Sequence, residues 1–123
     1  MVIDCGMLRA PGPLDGPVEA TGDLAFRTAV AQAATTRVLV ARSCYLALRA
    51  SAKTPVTPTS VALIAESNRS LGADDAFAVL DVPVDFELAV DPVIARLVDS
   101  GMLMSRLPRS LRKSLARGLF RVR

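Results

Sequence analysis

Histidine and tryptophan are absent from the chain, tyrosine occurs once and phenylalanine four times. Without histidine there is neither a Ser-His-Asp triad nor a mixed Cys/His zinc site. The two cysteines, Cys5 and Cys44, are isolated and have no Cys-x-x-Cys partner, so they read as small, reduced core thiols in a cytosolic chain. Lysine occurs only at Lys53 and Lys113, and neither follows a glycine-rich turn of the GxxxxGK[ST] kind. No apolar run approaches the ~20 residues that span a bilayer. Acidic Asp4 stands where a secretory signal would carry basic residues. With so few aromatics, a core has to be packed from Ala, Val and Leu.

What remains is enough for one globular domain, since the 123 residues are 51% hydrophobic. The net charge of +3 is unevenly spread. Residues 106–123 hold seven basic side chains (Arg106, Arg109, Arg112, Lys113, Arg117, Arg121 and Arg123) and no acid. Of the 15 basic residues, eight are then left to face twelve acids elsewhere, a net of −4. An acidic body with a basic tail points to an acidic partner surface, or to docking of the tail on its own body.

Three prolines and two glycines between Ala10 and Pro17 mark a loop. Asp23 fits the N-cap of a helix from Leu24 to about Thr35, with Phe26, Ala29, Val30 and Ala33 on one face. Arg37–Ala41 and Val61–Ala65 read as buried strands, Cys44–Lys53 and Asp74–Leu80 as helices, and Pro55 and Pro58 as a linker. Pro83–Leu88 alternates with period two, as a strand near a sheet edge does. Asp91-Pro92 starts a helix with stripe Val93, Ile94, Leu97 and Val98, which Gly101 ends. This alternation predicts an α/β fold: a partial Rossmann-like three-layer domain with a mostly parallel sheet of about four strands. The expected division is residues 1–104 for that domain and 105–123 for a C-terminal helix.

Three segments carry functional signals. Met1-Val2-Ile3-Asp4-Cys5-Gly6 is an apolar run that delivers a carboxylate and then a glycine. That pattern can place Asp4 beside a magnesium nucleotide; the bland alternative is a strand-end aspartate capping its own turn. In the tail, Leu111, Leu115, Leu119 and Val122 form an apolar stripe, with Arg109, Lys113, Arg117 and Arg121 opposite. Such a cationic amphipathic helix can enter an anionic lipid interface, bind nucleic acid through charge, or dock its leucines on the domain. The loop Glu66-Ser67-Asn68-Arg69 follows a strand's carboxyl end, where open α/β sheets bind ligands.

In order and content these segments resemble the C-terminal half of the MinD/ParA-type P-loop ATPases, including the CpaE-like branch. The residues concerned are Asp4-Cys5-Gly6, the strand from Arg37 with its Tyr45-Leu46-Ala47 helix, Val61–Ala65 with Asn68-Arg69, Val79–Pro83, and Val90-Asp91-Pro92 with Gly101. The resemblance implies that Asp4 and Gly6 lie near magnesium and the γ-phosphate, and that Glu66, Asn68 and Asp91 flank the nucleotide. The family usually places an asparagine where Glu66 stands. The half with the phosphate loop is missing, and Met1 falls inside the expected first strand.

The expectation is therefore a non-catalytic binding or assembly module, of the kind used in partitioning, septum-site or secretion-apparatus positioning. No cofactor is expected for the chain alone, and no metal unless a phosphate loop is supplied. Partners would be a second copy or another protein, and an anionic membrane or nonspecific DNA through the tail. The location would be cytoplasmic, including the membrane periphery. Two alternatives stand beside it: a fragment of an active ATPase that uses Mg-ATP once completed upstream, and a DNA-associated accessory protein.

Overall fold

The structure is a computed structural model and describes residues 1–6, 8 and 20–119. The elements in chain order are α1 (Ala20–Ala33), β1 (Val38–Arg42), α2 (Tyr45–Ser51), β2 (Ser60–Ala65), α3 (Ala73–Leu80), β3 (Val84–Ala89), α4 (Pro92–Asp99) and α5 (Arg109–Leu119). The strands form one parallel sheet in the order β1-β2-β3. Because the sheet is wound in one direction, both right-handed crossovers put their helices, α2 and α3, on the same face. There Ala41, Leu48, Leu63 and Ala76 form the buried core, joined by Leu71, Leu80 and Val84. Leu63 and Leu48 have almost no exposed surface; burying each stabilises the fold by roughly 1.5–3 kcal/mol.

The other face is built by an irregularity in β3. Val84 pairs with Val61, but Phe86, not Asp85, pairs with Ala62. One extra residue reverses the facing of everything after it. Val84 therefore joins the α2/α3 core, while Phe86 turns to the opposite side, where α5 packs on β3. Strict period two would have left Val84 and Phe86 on one face; the bulge at Asp85 separates them. Helices, sheet and α5 make three layers.

The helix and strand ends follow from local chemistry. Asp91 caps α4 by accepting the Val93 N–H at 2.8 Å, and Pro92 takes the first helical position. Gly101, at φ 68, closes the same helix: its N–H bonds Val98 O and the Met102 N–H bonds Leu97 O, a Schellman turn. Asp75 reaches back to the Gly72 N–H at 2.8 Å to start α3. Arg37 ties three segments together, donating to Ala34 O and Thr57 O and from its backbone to the Thr59 hydroxyl.

Three expectations need correction. Met1–Asp4 is not a strand: Met1 and Val2 are wholly exposed, and Asp4 accepts the Gly6 N–H in a local turn. The sheet therefore has three strands among the described residues, not about four. Asp23 is not an N-cap, because α1 begins at Ala20 and Asp23 instead pairs with Arg27 one turn on. On α1 the buried residue is Ala31, while Phe26 is 69% exposed, so the Phe26 face points outward. The loop expected at residues 10–17 lies outside the described residues.

Candidate functional site: the basic face of α5

Helix α5 is the only element expected from the sequence to carry an outward chemical signal along its whole length. Its sequence gives it little reason to be helical alone. Eleven residues are marginal in water, Arg109 opens the first turn against the helix dipole, and no acid balances it. Arg109/Lys113 and Lys113/Arg117 are like-charge pairs at i,i+4, each unfavourable by roughly 0.2–0.5 kcal/mol. Packing on β3 is what holds the helix.

The packed face is Leu111, Ser114, Leu115 and Gly118, at helical spacings of three and four. Gly118 is buried against the Phe86 ring. The stripe read from sequence is thus rotated: Leu111 and Leu115 turn inward, but Leu119 is 67% exposed, and Gly118 takes the inner position. Arg106, Arg109, Arg112, Lys113 and Arg117 are all exposed. The ion pairs among the described residues are Asp23–Arg27, Arg42–Glu66 and Arg69–Glu66, so none of them neutralises this helix. Arg121, Arg123 and Val122 lie outside the described residues.

Of the residues expected around a nucleotide, Asp4 and Gly6 lie in the N-terminal segment, while Glu66 and Asp91 follow the carboxyl ends of the paired strands β2 and β3. Asp4 and Gly6 sit in the N-terminal turn, with the Gly6 Cβ position 3.0 Å from Arg27 Nη1. Glu66 follows β2 and is held by two arginines: Arg42 Nε donates to Oε1 at 2.7 Å and Arg69 Nε to Oε2 at 3.2 Å. Those hydrogen bonds, Arg42 first and Arg69 second, keep the Glu66 carboxyl below its ordinary range, and Glu66 in turn raises the Arg42 guanidinium. The Glu66 N–H donates to the buried Ser43 hydroxyl at 3.2 Å, closing the carboxyl ends of β1 and β2. Asn68 is exposed beyond it.

Asp91 stands at the end of β3, occupied as a helix cap. It lines a cleft of about 290 Å³ between β3, α4 and α5, together with Leu88, Ile94, Ser110, Leu111 and Ser114. Open α/β sheets hold ligands where the winding reverses. β1, β2 and β3 wind one way only, so these strands form no such crevice.

Among the described residues no helix is long and apolar enough to cross a membrane. The chain matches no protein-family model, no curated protein and no solved structure.

Proposed function

We propose that the chain is a non-catalytic binding or assembly module that engages a phosphate polyanion through the outward face of α5. The observation that carries this reading is the docking of the helix. With Leu111, Leu115 and Gly118 turned onto β3, what faces solvent is a row of guanidinium and ammonium groups with no acid among them. A lipid interface would need the leucines, and of these Leu111 and Leu115 are already partly buried, leaving Leu119 exposed. A nucleic-acid backbone needs only the charges.

The same arrangement supports a module without phosphoryl transfer. That chemistry needs a cradle of backbone N–H groups and a lysine beside the transferring phosphate. Lys53 and Lys113 follow no glycine-rich turn, Asp4 and Asp91 are engaged in local hydrogen bonds, and Glu66 is held by Arg42. The likeness to the MinD/ParA-type ATPases rests on segment order, and it would place such a module in positioning or partitioning in the cytoplasm.

Duplex DNA binding at low salt, measured by mobility shift beside co-sedimentation with anionic liposomes, tests the reading. DNA binding weakened by Arg112→Glu and Lys113→Glu supports it. Liposome binding lost on Leu119→Glu, without DNA binding, would replace it with the lipid reading.

A further inference from the structure

Among the described residues the sheet ends in β1 on one side and β3 on the other, and the two edges are built differently. β3 carries Asp85 and Glu87 and has α5 across one face. Charges on an edge strand discourage another strand from pairing there. β1 reads Val38-Leu39-Val40-Ala41 before its first charge at Arg42, with Val38 44% and Val40 66% exposed. Among the described residues, α1 is not one of the elements packed against the sheet.

The backbone register specifies what fits there. The Arg37 carbonyl accepts from the Thr59 and Ser60 N–H groups, and the Ser43 N–H donates to Ile64 O. Odd-numbered residues of β1 thus turn their N–H and C=O toward β2. By the alternation of a strand, Val38, Val40 and Arg42 turn theirs away from β2.

We infer that β1 pairs antiparallel with β1 of a second copy across a two-fold axis through Val40. In that register Val40 faces its own counterpart and exchanges both backbone hydrogen bonds with it, and Val38 faces Arg42 of the other copy, whose N–H is outward while its C=O already accepts the Cys44 N–H of its own chain at 2.8 Å. Shifting the axis to Leu39 would leave the Arg42 N–H without a strand partner. No like charges come opposite each other, and Val38 and Val40 of both copies flank a continuous six-stranded sheet. An isologous interface of this kind closes on itself and gives a dimer, not a filament. The inference deepens the assembly half of the proposed function and uses none of the α5 chemistry, so the two fail independently.

Sedimentation equilibrium of the full chain over a wide concentration range should show mass rising from 13.0 kDa toward about 26 kDa and stopping there. Val40→Lys should give a monomer with an unchanged far-ultraviolet spectrum, since the side chain is exposed, while Val40→Thr should stay dimeric. With Cys5 and Cys44 replaced by serine, Val40→Cys should cross-link to itself under mild oxidation. The Cα atoms of such a hydrogen-bonded pair lie about 5.5 Å apart, inside the disulfide range. Glu87→Cys should not cross-link. A wild-type monomer at high concentration, a dimer indifferent to Val40→Lys, or masses that grow without limit would each overturn the inference.

Discussion

Gly118 of α5 rests on the ring of Phe86 in β3: a Cβ built on it would lie 2.6 Å from Phe86 Cγ, with Cδ1 and Cε1 nearer still. Helix propensity and packing therefore oppose each other at this position. Alanine would favour the helix by up to about 1 kcal/mol, but overpacking of a close contact costs roughly 1–3 kcal/mol. Packing wins, because the obstructing atoms belong to a buried ring and not to the end of a flexible chain. Gly118→Ala should lower stability in urea denaturation, and Phe86→Leu should recover part of the loss in the double variant. Additive effects of the two substitutions would break the proposed contact.

The pH dependence of stability should have an acid limb that belongs to Glu66. Its folded pKa is depressed by Arg42 and then Arg69. The contribution is therefore fully present above the unfolded value, near 4.3, and disappears as pH falls through the lower folded value. Glu66→Gln should be less stable than wild type at neutral pH and lose less on acidification. Parallel thermal-melting curves for the two proteins from pH 6 to about pH 3 would remove Glu66 from that role.

Asp91 and Gly101 bracket a helix that none of the packed element pairs includes. Asp91→Ala should cost about 0.5–2 kcal/mol, and Gly101→Ala about 1 kcal/mol for the positive φ. Both losses should appear first as faster amide exchange in residues 92–100. The β1–β2–β3 amides should be unaffected. Equal acceleration in the sheet would mean that α4 is held by more than its two caps.

Magnesium-ATP should not turn over above a buffer blank. Asp4 spends one carboxylate oxygen on the Gly6 N–H, and neither lysine of the sequence follows a GxxxxGK[ST] loop. Turnover that Asp4→Ala abolishes would restore the enzyme reading.

Much of the fold is written in local patterns. Apolar, β-branched runs placed β1 and β2 within one residue of their observed ends, and Asp91-Pro92 with Gly101 set α4 at both ends. What sequence periodicity could not carry was tertiary. The bulge at Asp85 depends on how β3 lies against β2, and it decides that Phe86 serves α5 while Val84 serves the core. Gly118 looks like a helix-weakening residue until Phe86 is placed beneath it. The partnership of Glu66 with Arg42 joins residues 24 positions apart and left no local trace. The basic character of α5 needed no structure to see, but which of its faces is free did.

The most direct test of the α5 reading is the salt dependence of duplex DNA affinity, followed by fluorescence anisotropy between about 50 and 200 mM salt. Each phosphate contact contributes about −0.9 to the slope of log affinity against log salt. Wild type should bind with a clearly negative slope, and Arg112→Glu, Lys113→Glu and Arg117→Glu should each weaken binding and flatten that slope by about 1. No binding at 50 mM salt, or a slope that these substitutions leave unchanged, would contradict the account.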